Sequence, residues 1–312
     1  MPATLICGSI AYDSIMVFQG RFKDHILPEQ VHILNVAFLV PEMRREFGGC
    51  AGNIAYNLKL LGASAWPMAT VGDDAQPYLA RLDALGIDRR HVRQVPSTFT
   101  AQAFITTDLD DNQITAFHPG AMTHSHLSAV PADGSVDLGI VAPDGRDGML
   151  QHAQQFAEHG IAFMFDPGQG LPMFGAEELA WFVARAHYVA LNDYEARLMT
   201  EKTGTDLATL SKKLEALIVT RGAQGSELWR KGEVTPIPVA PVRRVVDPTG
   251  CGDAYRAGLL YGLAHGLDWQ TTARLATVMG SLKIEHAGAQ NHTPDRQQIT
   301  DRFREGFGYR PW

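Results

Sequence analysis

In this 312-residue chain, the segment best suited to catalysis is a run of small residues that ends in a carboxylate. It reads Val-Val-Asp-Pro-Thr-Gly-Cys-Gly-Asp over 245–253, and residues 254–265 can continue it as a helix. A small-residue turn that opens a helix gathers backbone N–H groups and the positive end of the helix dipole around one point, which favours an anion. Asp253 would lie beside that point, where a carboxylate could deprotonate a hydroxyl as it attacks a phosphoryl group. The simpler alternative is an aspartate that only caps the helix.

This run resembles the second motif of the ribokinase-like (PfkB) family, which has the pattern Asp-x-x-Gly-x-Gly-Asp. The matching residues are Asp247, Gly250, Gly252 and Asp253. The resemblance implies that Asp253 is the catalytic base. It also implies an anion hole formed by the amides of Gly250, Cys251 and Gly252. The family more often has Ala at position 251, so Cys251 is expected to act through its N–H and its thiol is given no catalytic role.

A first family motif is matched by residues 47–53, Phe-Gly-Gly-Cys-Ala-Gly-Asn. The resemblance implies that Gly48 and Gly49 let the backbone approach a sugar closely and that Asn53 hydrogen-bonds its hydroxyls. Asp13, expected just beyond the first strand, matches the position that accepts hydrogen bonds from two neighbouring ribose hydroxyls. Without the resemblance, a Gly-Gly pair indicates only a turn and Asp13 only a solvated loop acid.

Two further motifs point to a nucleotide. Residues 192–195, Asn-Asp-Tyr-Glu, are similar to the family's Asn-x-x-Glu motif, which implies that Asn192 contacts the ATP phosphates and that Glu195 holds Mg²⁺ through water. Residues 220–225 are similar to the loop on the ATP side, where Thr220, Gly222 and Gly225 would lie against the nucleotide. Taken alone, such a loop is more often a plain strand-to-turn connection. ATP as co-substrate and Mg²⁺ are therefore the expected cofactors.

A monovalent cation, K⁺, is a further expectation from the resemblance, with Asp247 and Thr249 helping to hold it. The sequence does not fix how strongly K⁺ would activate the protein. No HExxH motif is present, and the three cysteines, Cys7, Cys50 and Cys251, form no CxxC pair. We therefore predict neither a zinc site nor a disulfide.

The substrate is predicted from the resemblance to bacterial adenosine and nucleoside kinases within this family. Phe117 would stack on the base, and Asp166 and Gln169 would lie near the substrate. The expected reaction is ATP-dependent phosphorylation of adenosine at its ribose 5′-hydroxyl. Small residues, Ala103 and Gly170, stand where some of these enzymes place a second aromatic residue and a second glutamine, which would leave room for other bases.

Several alternatives stay open at this point. Phe117 could be a buried hairpin residue, and the weaker lid candidates Gln30 and Gln113 could be solvated side chains. The activity could extend to inosine and guanosine, or it could be that of a ribokinase or another PfkB sugar kinase. A non-catalytic nucleoside sensor is a rival of a different class. A dehydrogenase and a P-loop kinase are disfavoured, because neither GxGxxG after the first strand nor GxxxxGK[ST] occurs.

The elements that must position these residues alternate between apolar runs and amphipathic segments, which predicts one α/β domain with a mostly parallel sheet between helix layers. Because ligands bind beyond the carboxyl ends of such strands, the motifs should converge on one edge. Segments about 14–47 and 98–120 break the pattern and predict a small β-sheet lid. Within the second segment, residues 101–107 and 113–117 alternate in polarity like the two strands of a hairpin. The expected strands are 5–10, 138–141, 162–165, 188–191 and 217–220, and the expected helices are 53–61, 151–159, 177–186 and 268–285.

Composition limits the partners. A formal net charge of −7 argues against a nucleic-acid binder, which concentrates Lys and Arg on one face. No run of 18 apolar residues and no basic, apolar leader is present, so a cytoplasmic protein with no membrane association is predicted. The expected partners are small molecules, a nucleoside and ATP. A homodimer formed through the lid is an expectation that the sequence leaves open.

Overall fold

The computed structural model describes residues 3–26, 35–110 and 112–312. Its larger sheet has the strand order β13-β12-β11-β10-β9-β8-β1-β4-β5, and its smaller sheet has the order β3-β2-β6-β7. The strands of the larger sheet are β1 (Ala3–Cys7), β4 (Ser64–Val71), β5 (Val92–Gln94), β8 (Leu138–Val141), β9 (Ala162–Phe165), β10 (Tyr188–Asn192), β11 (Ala216–Thr220), β12 (Ser226–Arg230) and β13 (Glu233–Ile237).

The strands from β11 to β5 pair in parallel, whereas β12 and β13 add an antiparallel edge. The predicted mostly parallel sheet is therefore confirmed. Apolar side chains of the inner strands are buried on both faces, as expected of strands covered by helices. The helices are α1 (Cys50–Leu60), α2 (Gln76–Leu85), α3 (Arg146–Glu158), α4 (Ala176–Val183), α5 (Asp193–Thr203), α6 (Leu207–Ser211), α7 (Cys251–Ala264), α8 (Trp269–Ile284) and α9 (Arg296–Phe307).

Helices α7 and α8 pack very closely, which fixes the position of the α7 amino terminus. A Cβ on Gly258 would lie 2.5 Å from the Ala276 Cα, and a Cβ on Gly262 would lie 2.4 Å from the Thr272 Oγ1. Only glycine permits this approach of the two backbones. The close packing holds α7, and with it the turn that precedes it, against α8.

The lid is the smaller sheet, made of β2 (Ala11–Val17), β3 (Glu42–Gly48), β6 (Ala101–Thr107) and β7 (Gln113–His118). The hairpin predicted for the second lid segment is confirmed as β6 and β7. The first strand is shorter than predicted, and the lid begins at Ala11, so Asp13 lies within lid strand β2 rather than in a loop. Gln30 lies outside the described residues.

Gly49 forms the connection from the lid to α1 and has a backbone conformation that disfavours other residues. Its φ is +86°, and an added Cβ would lie 2.6 Å from both the Ala11 nitrogen and the Ser9 oxygen. Substitution therefore combines an unfavourable φ with a clash against backbone that cannot move aside.

We expect Gly49→Ala to lower the free energy of unfolding by more than about 2 kcal/mol, measured by urea denaturation. Gly204→Ala is the matched control, because Gly204 also has a positive φ, +63°, but an added Cβ there would meet nothing within 4 Å. The control should cost only about 1 kcal/mol. Equal losses for the two variants would show that the crowding at Gly49 is unimportant.

Candidate functional site

The amino terminus of α7 has backbone amides that could bind an anion. Gly250 is its N-cap with a left-handed φ of +77°, and Asp253 lies in the first turn. The Cys251 amide donates to the Pro248 carbonyl, 3.1 Å away, so it is used inside the turn. Within the part of the chain that the structure describes, the backbone amides of Gly252 and Asp253 donate to no backbone carbonyl. The sequence prediction assigned the amides of Gly250, Cys251 and Gly252 to an anion hole. The structure shows the Cys251 amide in use within the turn, and it leaves the amides of Gly252 and Asp253 free to bind an anion.

Asp253 has an environment that suits a general base. Loss of hydration raises its pKa to about 7, a hydrogen bond from Asn53 lowers it, and the charge of Asp166 raises it further. The Asn53 Nδ2 donates to the Asp253 Oδ2 over 2.8 Å. A pKa near neutrality lets one carboxyl group accept a proton and release it again at physiological pH.

Arg256 is a buried cation one turn beyond Asp253, and no sequence motif indicated a role for it. Its guanidinium donates to both oxygens of Asp166, each at 3.0 Å, and lies 4.0 Å from the Glu195 carboxylate. Burial opposes the charged form of Arg256, but Asp166 and then Glu195 raise its pKa. Both oxygens of Asp166, which the resemblance implied to lie near the substrate, thus accept hydrogen bonds in a bidentate ion pair.

Asn53 is held in place by Gln290, which no sequence motif indicated. The Gln290 Nε2 donates to the Asn53 Oδ1 over 2.9 Å and to the Tyr78 hydroxyl over 2.7 Å. Arg81 in turn donates to the Gln290 carbonyl over 2.7 Å. These bonds fix which way the Asn53 amide points, so that its nitrogen faces Asp253. Gln290 lies 237 residues from Asn53, and no local pattern connects them.

Asn192 and Glu195 cap the start of α5 together. The Glu195 carboxylate accepts hydrogen bonds from the Asn192 amide and the Asn192 Nδ2, at 2.8 and 2.7 Å. Burial, and then Asp166, raise the Glu195 pKa. Among the described residues, no group of three or more His, Cys, Asp or Glu could hold a metal alone. A carboxylate acting through water fits Mg²⁺ that arrives with nucleotide phosphates, since Mg²⁺ keeps several of its waters.

A cavity of about 580 Å³ opens beside the amino terminus of α7. Its size falls in the range of small-ligand pockets. The predicted nucleotide residues Thr220, Gly222 and Gly225 line it, and so does Gly252, whose backbone amide is free. Its wall is mainly apolar, which the sequence patterns did not predict, and includes Val239, Val242, Val245, Tyr255 and Ile284.

The inner face of the lid presents Asp13, Ala103 and Phe117 in one row. Asp13 pairs with Ala103 across β2 and β6, and Ala103 pairs with Phe117 across β6 and β7. Directly paired residues point to the same face, so Phe117 shares the face of Asp13. Phe117 is 53% exposed, which rules out a buried hairpin residue. Strands lie about 4.8 Å apart, so the row spans roughly 10 Å between the Cα atoms of Asp13 and Phe117, about the length of a nucleoside.

Asp13 faces the body of the protein beneath the lid. Burial raises its pKa to about 6, with further contributions from Glu46 and Asp247. A Cβ on Gly48 would lie 2.6 Å from the Asp13 Oδ2, so this glycine makes room for the carboxylate. Gln169 is exposed, on the short helical segment Gly168–Met173 after β9. Gln113 is exposed at the start of β7.

The cysteines are inert in this environment. Burial raises the pKa of the Cys251 thiol to about 11, and it raises that of Cys50 well above its usual range. Thiols held in this form are poor nucleophiles. No role in chemistry is assigned to either.

We expect Arg256→Met to lower the free energy of unfolding by about 3–5 kcal/mol, because it leaves Asp166 and Glu195 buried without their cation. It should also raise the pKa of Asp253, which the Arg256 charge lowers. Arg89→Met is the control, since its pair with Asp83 is 45% and 54% exposed and should contribute little. Urea denaturation measures the free energy of unfolding of the two variants. A similarly small loss of stability in both would contradict the role given to Arg256.

Comparisons of sequence identify proteins that are similar to this chain. The profile of the pfkB family carbohydrate kinases matches residues 10–296. The nucleoside kinase of Methanothermobacter thermautotrophicus is 32% identical over 282 residues, which cover 89% of this chain and 91% of that relative. The nucleoside kinase of Methanocaldococcus jannaschii is 29% identical over 276 residues, covering 87% and 90%.

Comparison of structure gives a closer relative. The nucleoside kinase of Burkholderia thailandensis, solved in complex with inosine, is 55% identical, with a TM-score of 0.89 over 98% of this chain and 99% of that one. Its complex with ADP-inosine has 56% identity and a TM-score of 0.86, covering 99% and 97%. The ribokinase-like α/β fold is thereby confirmed. Because the family profile spans most of the sequence, this chain belongs to the pfkB family of carbohydrate kinases.

Proposed function

We propose that this protein transfers the γ-phosphate of ATP to the ribose 5′-hydroxyl of purine nucleosides. The observation that supports this most directly is the position of Asp253. Its carboxylate, with a pKa of about 7, lies at an anion-binding helix terminus between a nucleotide-sized cavity and the inner face of the lid. A base placed between two substrate sites is what direct phosphoryl transfer requires.

The residues of the chain divide the reaction between them. One oxygen of Asp253 accepts a hydrogen bond from Asn53, which leaves the other oxygen to take the proton of the 5′-hydroxyl. As the O–H bond breaks, the nucleoside oxygen forms a bond to the γ-phosphorus and the bond to the ADP leaving oxygen breaks. The free amides of Gly252 and Asp253 stabilise the charge on the transferring group. The products are a nucleoside monophosphate and ADP.

The ATP side of the proposal rests on the apolar cavity. Thr220, Gly222 and Gly225 lie at its wall, where the adenine ring can bury its faces against valine side chains. Mg²⁺ would enter with the phosphates, near Asn192 and Glu195, and would neutralise phosphate charge when bound. A cytoplasmic location agrees with use of ATP and stays a prediction.

The lid side supports a nucleoside rather than a free sugar. Asp13 can accept from two ribose hydroxyls, and Phe117, in the same row of the lid, offers an exposed ring at the distance of the base. Free ribose would leave Phe117 without a partner. The intact base and anion hole also argue against a non-catalytic sensor.

Base choice is proposed to be broader than adenosine alone, although the sequence prediction put adenosine first. Ala103 offers no second aromatic face, and Gly170 offers no side-chain amide. The Burkholderia thailandensis kinase was solved in complex with inosine, a nucleoside that has no 6-amino group. Apolar pockets discriminate weakly between such rings unless a buried polar group loses its partner.

We also propose that the protein forms a homodimer through the outer face of the lid, which is the sheet face opposite Asp13 and Phe117. Met43, Phe104 and Ile114 lie on this face by strand register and are 69%, 42% and 43% exposed. Apolar side chains grouped on an exposed sheet face favour burial against another surface. A second copy of the lid would present the same apolar side chains.

We expect kcat/KM for inosine and guanosine to lie within about a hundredfold of that for adenosine, and ribose to be a much poorer substrate. Ala103→Phe should narrow base choice by adding a ring to the inner face. Ala116→Phe, on the outer face of the same hairpin, is the control and should leave it unchanged. Restriction to adenosine by more than about a thousandfold would contradict the open pocket. A preference for ribose would contradict the nucleoside assignment itself.

A further inference from the structure

Lys283, in the last turn of α8, is completely buried. Lysine is almost never fully buried unless its ammonium is paired, because removing that charge from water is costly. Loss of hydration lowers the Lys283 pKa, whereas Cys251 and Asp247 favour its charged form. A cation in this position therefore needs oxygen atoms as hydrogen-bond partners, and the identity of those oxygens indicates what Lys283 does.

The Lys283 ammonium joins two loops through their backbone oxygens. Its Nζ donates to the Asp247 carbonyl over 2.7 Å and to the His286 carbonyl over 3.0 Å. The first carbonyl begins the turn that leads to the α7 amino terminus, and the second lies in the loop after α8. The same loops touch again where a Cβ on Gly250 would lie 2.7 Å from the Ala289 Cβ.

This is the place where the family resemblance implied a monovalent cation. Rings of backbone carbonyls are what K⁺ binds in proteins, and Asp247 would be one such ligand. Here its carbonyl oxygen is bonded to Lys283, while its carboxylate accepts from the amides of Thr249 and Gly288, each at 2.8 Å. The residues present do not fit a metal ion, since an ammonium already places a positive charge against the same oxygens.

We propose that the Lys283 ammonium is a built-in replacement for the monovalent cation, so that this enzyme works without K⁺. Lys283 is a positioning residue that acts through the turn at Asp247 and Gly250. It holds that turn in the shape that aims the free amides at the transferring phosphate. An ammonium on a side chain cannot dissociate, so the anion hole keeps its shape at any salt composition. The inference rests on the proposed kinase activity.

The first experiment uses the wild-type protein. Nucleoside phosphorylation is measured in K⁺, NH₄⁺, Na⁺ and tetramethylammonium chloride at one ionic strength. We expect kcat to stay within about twofold across the four salts, because the carbonyls have their own cation. Activation by K⁺ of tenfold or more over tetramethylammonium would overturn the proposal. Absence of phosphorylation in every salt would instead contradict the proposed function.

The second experiment is Lys283→Met, which keeps most of the side-chain stem and leaves a gap only where the ammonium was. We expect kcat in tetramethylammonium to fall at least tenfold, and K⁺ or NH₄⁺ to restore a substantial part of it. The same ions should raise the Tm of the variant but not that of the wild type. Lys213→Met, at an exposed lysine, is the control and should gain no ion dependence.

Restoration by K⁺ or NH₄⁺ would support the replacement, because a structural role for Lys283 alone would give a loss that no ion repairs. A folded variant whose loss is the same in all salts would therefore contradict the proposal. If Lys283→Met does not fold, the salt series on the wild-type protein still decides the question.

Discussion

The site depends on one buried cation set among carboxylates. Arg256 lies between Asp166 and Glu195. One helical turn away, the negative charge of Asp166 raises the pKa of Asp253 and the positive charge of Arg256 lowers it. Without the guanidinium, three carboxyl groups would share a poorly hydrated space, and some of them would have to stay protonated. With it, the pKa of Asp253 stays near neutrality, so the carboxyl group is ionised often enough to accept a proton and can release it again.

The backbone around this charge cluster serves the same purpose. Close packing of α7 on α8 at Gly258 fixes the helix terminus, and the left-handed Gly250 turns the chain so that free amides face the nucleotide cavity. Lys283 and Arg256 therefore contact different parts of the chain around one helix start. Lys283 holds the loops that carry the amides, whereas Arg256 sets the charge beside the base. The lid then supplies Asp13 and Phe117 from above.

Local sequence patterns predicted the parts of this site that are local in the chain. The turn that ends in Asp253, the hairpin that carries Phe117 and several inner strands could be predicted because small residues and apolar periodicity determine them. The side chains that contact these site residues from distant parts of the chain could not be predicted. The Arg256 to Asp166 pair joins residues 90 apart, and Gln290 reaches Asn53 across 237 residues. Such contacts arise only when the sheet and helices assemble. The edge strands and the start of the lid at Ala11 were also missed, since exposed strands lack a continuous apolar run.

The measurement that tests the central claim most directly is kcat/KM against pH for the wild type and for Asp253→Asn. Because burial raises the Asp253 pKa to about 7 and the base must be unprotonated, wild-type kcat/KM should fall tenfold per pH unit below that value. The variant should lose this dependence and at least a thousandfold in kcat, about 4 kcal/mol, with nucleoside affinity little changed. A variant that keeps more than a tenth of the wild-type kcat would show that Asp253 is not the base.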